Sequence, residues 1–330
     1  MVLALMVWRC SMIRFFIWFF LIGIFLLSAF IGAVDISPKE LLDADSLSST
    51  IFYDLRIPRV LFGFFAGAIL ALSGLVFQTL FRNALMTPYT LGISSGAVLG
   101  AGIAIKLGLS TLAFGIAAVS VFGFVGALFT VFLLLYLSQF LRQTQQTSLL
   151  LLGIALSLFY TSLLMIIFYL GSAIQNDMLM RFTMGSLSII GWKYPLILGM
   201  AAFILFLFSY LYRFELQLLS ISQEQAQLKG VDTKKTTLRL LIVTSLAIGI
   251  LVSISGPIGF VGLIVPHMVE KLYPQIISKR ILKTSIFGGL FLVMCDTISR
   301  AIQTQSELPI GIITALIGGP FFIYLIVKAK

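Results

Sequence analysis

The chain of 330 residues is short of charge: 22 lysines and arginines and 12 acids are 10% of it, where a soluble domain carries about 25%. With 60% hydrophobic residues, that shortage excludes a soluble globular fold. The apolar excess falls in runs long enough to cross a bilayer. Cysteine is nearly missing: Cys10 and Cys295 lie at opposite ends, in or beside apolar runs, which gives no disulfide framework and no metal cluster. The only histidine, His267, makes no metal site alone, and a packing or hydrogen-bonding role suits it better than catalysis. No G-x-x-x-x-G-K-[ST] phosphate loop occurs, so the chain cannot bind ATP by that device, and H-E-x-x-H and G-x-S-x-G are also missing. No stretch outside the apolar runs exceeds about 25 residues, which leaves no soluble domain. The net charge of +10 does not call for nucleic acid, because polytopic membrane proteins keep basic residues in cytoplasmic loops.

What is present is a series of apolar segments, near 13–34, 57–81, 90–108, 111–139, 148–170, 192–212, 237–255, 259–272, 283–301 and 309–327. They predict an all-α integral membrane protein of about ten transmembrane helices, residues 1–330 forming a single transmembrane domain. The eighth segment is too short to cross about 30 Å of hydrocarbon at about 1.5 Å per residue. It starts from Gly256-Pro257 and is interrupted at Pro266, so it reads as a half-helix buried among neighbours. The first segment follows Arg9 and Arg14, as a secretory signal would. Its apolar stretch from Phe15 to Val34 exceeds a typical signal core, and Ser28-Ala29-Phe30 is a poor cleavage site, so it is kept as a span.

Placing the N-terminus inside leaves 15 basic residues in inner segments and 7 in outer ones, while eight of the 12 acids fall outside. Basic residues belong inside, so both termini are expected to be cytoplasmic.

Several local patterns stand out. Gly63 and Gly67, then Gly92, Gly96 and Gly100, recur at four-residue spacing, as small residues do where helices touch in lipid. The stretch from Gln78 to Pro88, with Arg82, Asn83 and Thr87, sets polar groups at the inner end of the second span. Pro88 disfavours helix at Thr87, and either a turn at the membrane face or a pore wall accounts for the stretch. Arg56-Ile57-Pro58-Arg59 places two arginines on the outer face against the charge rule. Snorkelling to lipid phosphates is one explanation, and docking of an acidic partner, joined by Arg300, is the other. Asp296 and Arg300, four apart, predict a local ion pair. The longest inner loop, 214–236, holds a short amphiphilic helix from Ser222 to Leu228, capped by Gly230.

Together these residues resemble the FecCD-type permeases, the membrane pore of ATP-binding-cassette importers for iron-siderophores, haem and vitamin B12. The match runs from about Leu55 to Leu325 and includes Leu55-Arg56-Ile57-Pro58-Arg59, Ala71-Leu72-Ser73-Gly74, Arg82-Asn83, Pro88, Leu91-Gly92, Ser95-Gly96-Ala97 and Gly185-Ser186-Leu187-Ser188. It continues through the run Gly256 to His267, Glu307-Leu308-Pro309-Ile310-Gly311 and Thr314-Ala315-Leu316-Ile317-Gly318. Four positions depart from the family pattern: Ala84 for proline, Glu270 for arginine, Gln223 for glutamate and Lys229 for leucine.

The resemblance implies a type II importer permease fold in a bacterial inner (cytoplasmic) membrane, with no bond chemistry of its own. It implies a two-fold dimer with a second permease subunit, the same chain or a relative, and the passage at the interface. Two ATPase subunits would bind the ATP and Mg that this chain does not, and a periplasmic or lipid-anchored substrate-binding protein would deliver the cargo. Arg56, Arg59 and Arg300 match outer arginines that pair with that protein's carboxylates, which favours docking over snorkelling. Gln223, Glu224, Ala226 and Gly230 lie in the segment matching the coupling helices. Thr147 and Ser148 align with an inner gate; Gln78, Asn83 and Pro88 are further candidates for the translocation path; a short outer helix, 174–185, would flank the mouth. Spans 2–5 and 7–10 start from opposite faces, consistent with an inverted repeat. A gradient-driven carrier would need intramembrane acids, which are scarce in mid-span, and a membrane enzyme would need a catalytic set that is missing.

Overall fold

A computed structural model describes residues 19–32, 47–109, 111–112, 116–140, 146–274, 276–302 and 308–328. The expected placement of both termini, most of the first outer loop with Asp35, Glu40, Asp43 and Asp45, and Glu307 lie outside the described residues. Described elements begin with α1 (Phe19–Ser28), α2 (Leu47–Phe81), α3 (Ile93–Lys106), a two-residue ladder of β1 (Thr111–Leu112) and β2 (Ile116–Ala117), and α4 (Ala118–Ser138). Next come α5 (Gln146–Leu170), α6 (Ala173–Met184), α7 (Lys193–Leu211), α8 (Arg213–Ile221) and α9 (Gln223–Leu228). Last are α10 (Thr233–Ser255), α11 (Val261–Leu272), α12 (Ile277–Ile302) and α13 (Ile310–Lys328).

Each of the ten apolar segments carries a helix among the described residues. Six helices are long and apolar enough to span: α2, α4, α5, α7, α10 and α12. The fourth segment was expected to be helical from residue 111; instead 111–117 forms the small antiparallel ladder, and the helix starts at Ala118.

The bundle is organised around α2, which packs against α7, α10, α11 and α12. Glycine allows the closest approaches. A Cβ on Gly67 would lie 2.1 Å from the Gly288 carbonyl oxygen, and one on Gly74 would lie 1.8 Å from that of Gly262. Likewise Gly96 and Gly100 admit α4, through Thr130 and the Phe122 carbonyl. The four-residue spacing thus marks real helix contacts, while Gly92 serves instead at the start of α3 with φ +78°.

Two prolines show how lost helix bonds are repaired. Pro58 has no N–H for the carbonyl four residues back, that of Asp54. The helix widens into a π-turn over Ile51–Arg56, and the Gly191 N–H donates to the Asp54 oxygen at 3.0 Å. Pro266 likewise deprives the Gly262 carbonyl in α11, and there the Gln78 side-chain amide donates at 3.1 Å. Non-helical backbone at membrane depth survives only where protein supplies such partners.

Candidate functional site: a buried arginine network, a neutral cavity and a short capped helix

At one end of the bundle α1 stops at Ser28, and its last carbonyls need donors. Arg56 Nη1 donates to the Ala29 and Phe30 oxygens at 3.2 and 2.8 Å. Arg300 donates to Ile31 through Nη1 at 2.6 Å and to Ser28 through Nη2 at 2.9 Å. Two cations at a helix C-terminus also oppose its dipole favourably. Asp296 sits between them and Arg59: it accepts from Arg59 Nη2 at 2.8 Å and pairs with Arg300 Nε at 3.0 Å. Side-chain exposures of 12, 5 and 4% for Arg59, Arg300 and Asp296 make this a buried network.

The predicted Asp296–Arg300 pair therefore exists, and the structure does bring Arg56, Arg59 and Arg300 together. Arg56 and Arg300 are buried and clamp the end of α1, and Arg59 is held by Asp296. Arg59 and Asp296 do reach the wall of a depression of about 360 Å³, which Arg181, Ser186, Ser188 and Pro309 also line. Arg181 is exposed there, on α6, and pairs with Asp177 at 2.9 Å. That helix follows the expected 174–185 segment closely and opens with a capping box of Ser172 and Gln175.

A larger cavity, about 740 Å³, lies between the start of α3, the end of α6, the break at Pro257–Gly259 and α13. Its wall carries the hydroxyls of Tyr89, Ser94, Ser95 and Thr183, with apolar Val98, Met184, Ile312, Ala315 and Leu316. Among the described residues, no acidic, basic or histidine side chain lines it. Phe260, just past the break, holds φ +67° and lays its ring against Gly318 of α13, where any Cβ would fall 2.3 Å away. A bulky residue in that region of backbone space is strained, so the break is held in place by its neighbours.

Of the residues expected on the path, Gln78, Asn83, Pro88 and Ser148 do not line this cavity. Gln78 repairs α11, and Asn83 turns the chain by accepting from the Leu85 N–H at 2.9 Å; both face a smaller cavity elsewhere. Pro88 is buried just before Tyr89, Ser148 is half-buried in the first turn of α5, and the side chain of Thr147 lies outside the described residues. The lining of this cavity comes from the break after Gly256, from Ser95 and from Gly311 to Ala315, all within the matching motifs.

At the other end α8 leads into α9. Ser222 caps it, accepting from the Gln225 N–H at 2.9 Å. The end is a Schellman turn: Gly230 N–H donates to Gln227 and Val231 N–H to Ala226, with Gly230 at φ +82°. Ala226 is fully buried and Gln223 half-buried, whereas Glu224 and Leu228 are exposed, Leu228 at 87%. Asp232 then caps α10, and the Lys235 backbone N–H donating to it holds its carboxyl below the usual range. A Gly230→Val substitution is expected to cost about 1–2 kcal/mol from backbone strain alone, since nothing lies within 4 Å of the site. Thermal stability of the purified chain should drop modestly, and a wholesale loss of folded protein would contradict this.

Known proteins agree with this architecture. Residues 20–328 match the FecCD transport family. The chain is 33% identical, over 86% of its length and 84% of the relative's, to the "Probable iron chelatin transport system permease protein" of Helicobacter pylori. It is 31% identical to the hemin transport system permease protein HmuU of Yersinia pestis, over 92% of this chain and 91% of that one. A solved structure described as an inward-facing conformation of a metal-chelate type ABC transporter superposes with a TM-score of 0.80 at 27% identity, covering 94% of this chain and 98% of that one. A predominantly helical, multi-pass membrane transport subunit, this chain belongs to the FecCD transport family.

Proposed function

We propose that the chain is the permease subunit of an ABC importer that moves an intact metal chelate, such as an iron-siderophore, haem or a cobalamin, across the bacterial inner membrane. The observation that carries this is the 740 Å³ cavity with its neutral wall, set between an outer depression and the α9 helix. A bare divalent cation would need oxygen or imidazole ligands; a chelate brings its own and needs only space, hydroxyls and apolar contact. Two copies, or this chain and a relative, would enclose the passage. ATP and Mg would bind to two partner ATPases, which receive α9 through Gln223, Glu224, Ala226 and the Gly230 turn. Rigid-body rocking would then alternate access. A binding protein would dock at the outer depression, its carboxylates meeting Arg59 and the exposed Arg181, while Arg56 and Arg300 hold α1 for that surface.

Two experiments test this. Gentle extraction of the tagged chain from its native host should co-purify a phosphate-loop ATPase in stoichiometric amount, identified by mass; recovery of the chain alone in several mild detergents would contradict the reading. Ala315→Trp should obstruct the cavity from an exposed position, lowering chelate uptake by about tenfold or more, a barrier of at least about 1.4 kcal/mol. Protein yield should be unchanged. Undiminished uptake would remove the cavity from the path.

A further inference from the structure

α8 and α9 meet without a linker. Ser222 ends α8, its N–H donating to the Leu218 carbonyl at 3.2 Å, and its hydroxyl caps α9. A displacement of α9 therefore carries α8 with it. α8 packs against α2 and α12 and buries Leu216 and Leu219. Apolar packing of that kind can slide, but one contact is directional. The Ile277 N–H opens α12 and so has no partner in its own helix. It donates to Gln217 Oε1 of α8 at 2.7 Å, across 60 residues of chain.

The turn that Gln217 grips is stiff. Glu270 of α11 pairs with Arg280 of α12 at 2.6 Å. Tyr273 packs edge-on to the Phe287 ring at 6.1 Å, and Lys283 lies 3.6 Å from the Tyr273 ring centre. Glu270, a departure from the family pattern, thus closes the turn within this chain. From there α11 runs back twelve residues, about 18 Å at about 1.5 Å per residue, and Gln78 makes good the bond that Pro266 removes from it. Its other end meets the break whose Pro257 and Gly259 line the cavity of about 740 Å³. Phe260 there presses its ring on Gly318 of α13. Rigid elements joined by specific bonds are what can carry coupling between distant sites.

We propose that Gln217 is a positioning residue that latches the α8–α9 arm to the α11–α12 turn, so that movement of α9 reaches the break in the cavity wall. It touches no cargo, and its role rests on the transport reading for the source of that movement. The side-chain oxygen is the working part. Gln217→Leu keeps similar bulk with no acceptor, whereas Gln217→Glu keeps an acceptor and suits a helix N-terminus.

Two readouts test the latch, with both variants first checked for elution as a single species. In proteoliposomes holding the chain with its co-purified ATPase and binding protein, Gln217→Leu should lower the chelate taken up per ATP hydrolysed about fivefold or more. ATPase co-purification should be unchanged, and Gln217→Glu should restore the ratio. In the purified chain alone, Gln217→Leu should speed amide exchange about fivefold at Ile277, and also across 256–262 at the far end of α11. Gln217→Glu should do neither. Faster exchange at Ile277 with none at the break would show a local cap and overturn the latch, as would an unchanged uptake ratio in Gln217→Leu. A lack of ATP-dependent uptake by the unsubstituted complex would instead sink the transport reading, and exchange at the break would still decide the latch.

Discussion

Replacing Asp296 by alanine is expected to destabilise the chain by about 3–5 kcal/mol, the cost of leaving buried cations without their counter-charge. The geometry makes this the most damaging single change of charge in the described residues. One carboxylate serves both Arg59 and Arg300, at 2.8 and 3.0 Å. Without it, like charges would face each other out of water, and Arg300 would lose what steers it onto the Ser28 and Ile31 carbonyls. Asp296→Asn keeps the shape and some hydrogen bonds but not the charge, so it should fall between. The check is thermal unfolding of the purified chain followed by its elution as a folded species. A midpoint unchanged by Asp296→Ala would show that the network is not what holds α1 to α2 and α12.

The second large effect is steric. Gly74→Ala should prevent recovery of folded protein, because its Cβ would lie 1.8 Å from the Gly262 oxygen and 2.8 Å from its Cα. Both are backbone atoms and neither can swing aside, so the loss should reach or pass the roughly 3 kcal/mol at the upper end of ordinary overpacking. It would also displace the carbonyl that Gln78 holds, undoing the repair of α11. Gly23→Ala is the control. It lies inside α1 with nothing within 4 Å, and exchanging glycine for alanine in a helix should stabilise by about 0.5–1 kcal/mol. Equal yields for the two variants would contradict the close α2–α11 contact.

Much of this could be read from the residues. Apolar runs bounded by charge, proline and glycine placed the end of α2 at Phe81, whereas its start lies back beyond the π-turn at Leu47, and Gly256-Pro257 with Pro266 marked the short α11 correctly. Ser222 and Gly230 delimited α9 because caps are local chemistry, decided within four residues. What could not be read there depends on partners far away in the chain. That Arg56 bonds carbonyls 26 and 27 residues earlier, or that Gln78 completes a helix 184 residues later, has no local signature. Polar residues near a membrane face look functional whether they line a passage or mend a backbone. The cavity wall was hidden for the opposite reason, since serines, glycines and alanines in apolar helices look like packing.

The central claim is that this chain carries a chelate inward under the drive of ATP hydrolysed elsewhere. The most direct measurement reconstitutes the chain with its co-purified ATPase and binding protein in proteoliposomes and follows uptake of a labelled iron chelate. Uptake should require ATP and the ATPase together, and persist when ionophores collapse the proton and sodium gradients. Uptake by the chain alone, powered by an imposed ion gradient and indifferent to ATP, would contradict it.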